Sequence, residues 1–231
     1  MPYAYLDEII GGQSISNFFV PDAVQRHVVG TEFSGSDNYW GGGQFIYLKA
    51  GATLLMGQSV VWDLTWNATA LPNAANQGRP IAFALYPMTI NQFGMFQVGG
   101  MAVANATASV AAGTAFGITA AGQVGANSAG KQVLNAVSVA PSTTAVIKAN
   151  VLVTAGTNVL QTSNADGWFF GATVSGTGIP GGATITGISP DGRSVTTSAN
   201  STASGVVSVT ATYTGFIVAS IQRPFSQGAI T

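Results

Sequence analysis

Val206–Tyr213 reads VVSVTATY and Phe216–Gln222 reads FIVASIQ, with only Thr214 and Gly215 between them. From Val207 to Tyr213 apolar residues alternate with Ser and Thr, the period-two pattern of a strand with one buried face. The same signature recurs upstream in Gln44–Lys49 (QFIYLK), Ser59–Leu64 (SVVWDL), Ile81–Tyr86 (IAFALY), Gly94–Val98 (GMFQV) and Thr144–Lys148 (TAVIK). Clusters of Gly, Asn and Pro punctuate these runs, as turns between strands require. Helical periodicity is nearly absent. The best helix candidate is Pro21–His27 (PDAVQRH), at most two turns long, with Pro21 at the first helical position and Arg26 and His27 in the last turn. The fold class read from the chain is therefore all-β.

Outward from these strands the chain divides into three zones. Residues 1–43 hold five of the eight acids and several aromatics, and end in Gly41-Gly42-Gly43; they read as an N-terminal arm with a flexible joint. Residues 44–150, together with 216–231, read as a β core. Residues 151–215 change character, being dominated by Thr, Ser, Gly and Val, and read as an inserted β-meander module. Within it, Gly178-Ile179-Pro180-Gly181-Gly182 is turn chemistry, and Asp191-Gly192 marks a hairpin between a strand around Ile185 and a return over Ser194–Thr197.

Composition narrows the function. The 231 residues contain no Cys, so neither disulfides nor thiolate metal sites contribute. Only 6% of residues are charged, against about 25% in ordinary soluble domains. A surface so poor in charge is weakly protected against self-association, which implies that partners cover much of it or that Ser, Thr, Asn and Gln solvate it. The seven Lys and Arg are scattered, so no phosphate-binding patch forms and nucleic acid is not expected as a partner. The charge-free stretch Ile81–Gly130 is too rich in Gly, Asn and Thr for a spanning helix, and MPYAYLDEII lacks a basic region followed by an apolar core, so no membrane partner is expected either.

Catalytic constellations are also missing from the pattern. His27 is the only histidine, which rules out a His-based triad or a two-His metal site within one chain. Asp7 and Glu8 are adjacent and point to opposite faces of any strand, while Asp63, Asp166 and Asp191 are isolated. The Gly-rich runs lack the Lys and the following helix of a phosphate loop. The expectation is a protein that is not an enzyme and needs no metal or cofactor. Trp40, Trp62, Trp66 and Trp168 suit core or interface packing, with a glycan-stacking platform as the alternative. Of Trp62 and Trp66, one is expected to be buried and one to lie near a turn.

Gly43–Lys49 (GQFIYLK) resembles the G-[EQ]-F-I-Y-L-K opening strand of small structural proteins encoded with the capsid genes of tailed phages. Further motifs follow in the order those proteins carry them: Val60-Val61-Trp62-Asp63 after a Gly-containing turn, Gly94-Met95-Phe96-Gln97-Val98-Gly99-Gly100, an Ala/Gly-rich stretch over Ala102–Gly130, and Arg223-Pro224-Phe225 near the C terminus. The resemblance covers residues 43–148 and 216–225. It implies a capsid decoration (cement) protein on the outer surface of the virion, with a small β-barrel or β-tulip-like core, often trimeric, and with the major capsid protein and further copies of itself as partners. Phe18, Phe19, Tyr39, Trp40, Arg223 and Phe225 are the expected interface residues. Residues 151–215 depart from the pattern; their Gly176–Ile185 stretch is similar to β modules of phage tail and surface proteins. That leaves a tail- or fibre-associated protein that binds host surface glycans as the alternative.

Overall fold

The computed structural model describes residues 4–5, 20–37, 39–189 and 191–229. Among them the chain is all-β, with seventeen strands and no helix. In order these are β1 (Ala4–Tyr5), β2 (Glu32–Asp37), β3 (Gly41–Ala50), β4 (Ser59–Trp62), β5 (Asn67–Ala70), β6 (Ala82–Ala84), β7 (Phe93–Asn105), β8 (Phe116–Ala120), β9 (Gln123–Ala126), β10 (Val133–Ala140), β11 (Ala145–Val153), β12 (Val159–Gln161), β13 (Thr173–Ser175), β14 (Ile185–Ile188), β15 (Ser194–Thr197), β16 (Gly205–Thr212) and β17 (Phe216–Ser226).

Two long strands organise the first sheet. β3 runs antiparallel to β7 from Gly43–Gly100 to Lys49–Phe93. Its other edge carries β2 along Gly41–Ile46 and then, in parallel, β5 at Lys49 and Ala50. β7 likewise changes partner, from β6 at Phe96 and Gln97 to β17 along Gly99–Asn105. With β5–β4 and β4–β6 also paired, the ladder runs β3–β5–β4–β6–β7 and returns to β3. Phe45, Ile46, Tyr47 and Leu48 are consecutively buried, so β3 is covered on both faces and does not alternate as a half-buried strand would.

The crossing of β3 and β7 demands glycine. Gly100 has φ +90°, and a Cβ there would lie 2.2 Å from the Gly42 carbonyl oxygen and 2.9 Å from the Gly43 Cα. Gly41–Gly43 is therefore strand, pinned between β2 and β7, where the sequence suggested a flexible joint.

A second core lies on the opposite face of β7 and β17, where Ala102, Ala104, Ile217, Ala219 and Ile221 meet Phe116, Ile118 and Val124 of the β8–β9 hairpin. The small side chains of this Ala/Gly-rich stretch let the hairpin approach closely. One outer edge of the sheet is partly covered. β10 exchanges bonds with the preceding loop, Gly113 N–H donating to Ser138 O at 2.7 Å and Ser138 N–H to Thr114 O at 3.0 Å. At the other end stands the two-residue strand β1.

The second sheet has the order β13-β16-β11-β12-β15-β14. Its outer strands meet: Val174 N–H donates to Ala183 O at 2.8 Å and Ile185 N–H to Ala172 O at 2.9 Å. Trp168 fills its interior and donates Nε1–H to Val146 O at 3.1 Å. β14 and β15 form the expected hairpin around Asp191-Gly192, but β16, β11 and β12 interleave with them, so the sheet is not a meander. The sequence-based boundary at 150/151 falls inside β11, which pairs with β16 from Ala145 onward; the turn Pro141–Thr144 is the actual passage into this sheet.

The segment Pro21–His27 is not helical. Asp22 exchanges two backbone hydrogen bonds with Phe93 (2.8 and 2.9 Å), and its buried carboxylate accepts from the Tyr47 hydroxyl at 2.9 Å and pairs with Arg26 at 2.9 Å. These tertiary bonds outweigh a two-turn helix, whose nucleation is unfavourable at that length. His27 is half-buried, edge-on to Phe33 and Tyr47 at centroid distances of 4.9 and 5.2 Å. Burial lowers its imidazole pKa, Asp22 opposing and Arg26 adding to the effect.

Gly100→Ala should cost about 2 kcal/mol or more, from left-handed strain and the clash with Gly42, read as a lower urea midpoint. The neutral ring of His27 is the form the fold prefers. Its contribution is complete above the unfolded pKa of 6.5 and is lost as pH falls through the lower folded value. The thermal midpoint should therefore drop between about pH 7.5 and about pH 5.5, and His27→Phe should flatten that slope; an unchanged slope would refute the assignment.

Candidate partner-binding face

Arg223-Pro224-Phe225 is a bulge. Against β10, Ile221 faces Ala136 and Phe225 faces Leu134, so Gln222, Arg223 and Pro224 stand opposite Asn135 alone. Arg223 and Asn135 both take left-handed backbone, φ +46° and +56°. The N–H that proline lacks is not needed at this position, and the Pro224 carbonyl accepts from Ile81 N–H at 2.9 Å. Ser226 N–H then donates to Arg79 O at 2.9 Å, so the end of β17 leaves β7 for the segment Arg79–Ile81.

The bulge throws Arg223 across the sheet. Its guanidinium meets Glu32 in a bidentate pair, 2.8 and 2.7 Å, between residues 191 apart in sequence. Glu32 lies on β2, so the pair straddles β3 and β7, which separate β2 from β17. The Arg223 hydrogen bond lowers the Glu32 pKa against the opposing effect of desolvation. The clasp's stabilisation is complete above the ordinary glutamate range and is lost as pH falls through the depressed value.

On one side of the clasp lies a groove of about 210 Å³, lined by Ile46, Trp62, Pro80, Val98, Pro224 and Phe225 among others. Its rim is apolar, since Phe225 and its register partner Leu134 are 39% and 37% exposed. On the other side a trough of about 470 Å³ crosses the strands. Ser34, Gln44, Gly99 and Gln222 form one row across it, each opposite the next in register. Gln44 lies over Gly99. The carboxamides of Gln44 and Gln222 make no hydrogen bond to the described residues, whereas those of Gln25, Gln58, Gln77 and Gln123 all do.

Beside the groove stands a rigid turn. Asp63 Oδ1 accepts from Thr65 N–H (2.8 Å), Thr65 Oγ1–H (2.7 Å) and Asn67 N–H (3.0 Å). These bonds, led by that from Asn67, hold its carboxyl at a pKa of about 2. Trp66 takes φ +63° and packs over Gly30. Trp62 and Trp66 are both partly buried, Trp66 at the turn. Leu64, at the apex, is fully exposed. Arg79 secures the base of the turn, Nη2–H donating to Trp62 O at 2.8 Å.

Of the six residues nominated by the sequence, Arg223 and Phe225 line this one groove. Tyr39 and Trp40 lie elsewhere, at the β2–β3 turn. Tyr39 packs edge-on to Trp40 (4.7 Å) and over Gly167, and Trp40 faces Tyr213 at 6.2 Å. Tyr213 continues to Phe169 (4.8 Å), and Phe169 to Phe216 (5.3 Å), so these rings join the two sheets within one chain. Tyr39 stays half exposed. Phe18 and Phe19 lie outside the described residues. Sequence reasoning missed Glu32, Gln44, Gln222 and Leu64; the one available signal, for the trough alone, was the pair of glycine runs Gly42-Gly43 and Gly99-Gly100 that line it. Among the described residues no three His, Asp or Glu side chains converge to hold a metal ion.

Comparison with known proteins finds no matching family model, no matching curated protein and no matching solved structure.

Both clasp side chains remain about half exposed, which screens their attraction. A double-mutant cycle of Glu32→Gln and Arg223→Gln should give a coupling of about 0.5–1 kcal/mol at low salt, falling as salt is added. A coupling that salt leaves unchanged would show that the pair is not acting as an exposed ion pair.

Proposed function

We propose that this protein is a structural, non-enzymatic component of a phage virion, a decoration protein that stabilises the capsid by bridging major capsid protein subunits as a homotrimer. The observation that carries the reading is where the resemblance motifs lie in the fold. GQFIYLK lies in β3, VVWD is β4 with its turn, GMFQVGG is the first half of β7, and RPF is the bulge of β17. Motifs dispersed over 183 positions thus converge on one sheet, which supports a shared architecture over chance similarity. In this reading the returning ladder β3–β5–β4–β6–β7 is the small barrel of the core, and the second sheet is a projecting module.

The surface suits binding by area. It presents a rigid apolar groove, uncharged polar rows and few charges to desolvate, and repetition over a lattice makes modest contacts strong in total. A tail- or fibre-associated protein that binds host glycans is the second reading. The free Gln44 and Gln222 carboxamides favour it, because a neutral row of amides and hydroxyls matches sugar hydroxyls.

Electron microscopy of the particle that carries this chain decides between them. Density at repeated positions on the outer shell is expected, and density confined to the tail overturns the decoration reading. For the N-terminal anchors, Phe18→Ser/Phe19→Ser should weaken attachment to stripped capsids by about tenfold or more; unchanged attachment would remove those two residues from the interface.

A further inference from the structure

Leu64 is a fully exposed leucine at the apex of a turn that hydrogen bonds hold in shape. Three hydrogen bonds to one Asp63 oxygen fix it, and Arg79 holds its base. An apolar side chain presented rigidly loses little conformational freedom when it is buried by a partner. Trp62, two residues earlier, lines the apolar groove that ends at Phe225. A protrusion and a recess that could receive it therefore occupy one patch.

We propose that copies of this chain associate with one another by inserting Leu64 of one copy into the groove between Trp62, Pro80, Pro224 and Phe225 of the next. Leu64 of one copy entering the groove of the next is a head-to-tail contact, which a three-fold rotation closes into the trimer of the decoration reading. Scarcity of charge favours a second copy as the occupant, because a surface with so few charges is weakly protected against self-association. The patch carries Glu32 and Asp63 against Arg79 and Arg223, two of each sign, so identical surfaces meet without net repulsion. The exposed side chains of Phe225 and Leu134 extend the apolar contact at the rim. The exposed residues Ile147, Leu152 and Val206 lie on the second sheet, outside the lining of this groove, and are not part of this contact. The proposal names the self-contact surface within the decoration reading and rests on that reading for self-association alone, not for the capsid.

Light scattering coupled to size exclusion should give the full chain a mass that is a small multiple of 23.4 kDa. Leu64→Asp should return it to 23.4 kDa with an unchanged circular dichroism spectrum. Because the natural chain has no Cys, mixing Leu64→Cys protein with Phe225→Cys protein should yield a disulfide between the two variants under mild oxidation. A monomeric parent protein, an oligomer that survives Leu64→Asp, or failure of the mixed disulfide to form each overturns the proposal. The cysteine pair keeps the test decisive if Leu64→Asp does not fold. Attachment to stripped capsids is measured separately: a monomeric parent that still attaches sinks this contact and leaves decoration standing, and an oligomer that never attaches does the reverse.

Discussion

The close crossing of β3 and β7 is the constraint on which the rest of the molecule depends. Two backbones pass where Gly42 and Gly43 meet Gly100, with no room for a Cβ at Gly100. Along the ladder that begins there, each strand changes the partner on its other edge. β3 passes from β2 to β5, and β7 from β6 to β17, which allows one ladder to return on itself while still extending outward on both sides. The same absence of side chains that permits the crossing leaves the trough open on the outer face. The close packing and the open trough thus share one cause.

A second constraint lies between the sheets. Tyr39, Trp40, Tyr213, Phe169 and Phe216 form a continuous run of rings from the β2–β3 turn into the second sheet. Tyr213 Oη–H also donates to Gly167 O at 3.1 Å, so a polar bond fixes the geometry that the ring contacts fill. Aromatic pairs at these separations add roughly 0.5–1.5 kcal/mol each beyond the area they bury. Trp40, nominated as an anchor for an external partner, also takes part in this contact between the two sheets, while Tyr39 beside it stays half exposed.

Strand content was legible because β-branched alternation is a local property, and QFIYLK, IAFALY, VVSVTATY and FIVASIQ all lie within strands or overlap them. The hairpin at Asp191-Gly192 was legible for the same reason. What sequence could not supply was anything set at long range. The fate of Pro21–His27 was decided by Phe93 and Tyr47, and the end of the arm by the β3–β7 crossing. β8 and β9 escaped because Ala and Gly carry little strand signal of their own and form strands here by packing on a second core. In the candidate site, RPF was visible as a motif, but its role as a bulge needed Asn135, and the clasp needed Glu32 191 residues away.

The described chain holds two ion pairs, Asp22–Arg26 and Glu32–Arg223, and only the second lies wholly at the surface. Almost nothing that maintains this fold is therefore subject to Debye screening, whose reach shortens from about 30 Å at 0.01 M to about 3 Å at 1 M salt. Apart from the Glu32–Arg223 clasp, the described contacts of such a chain have little to lose as ionic strength rises. Its fold would change little between fresh water and brine.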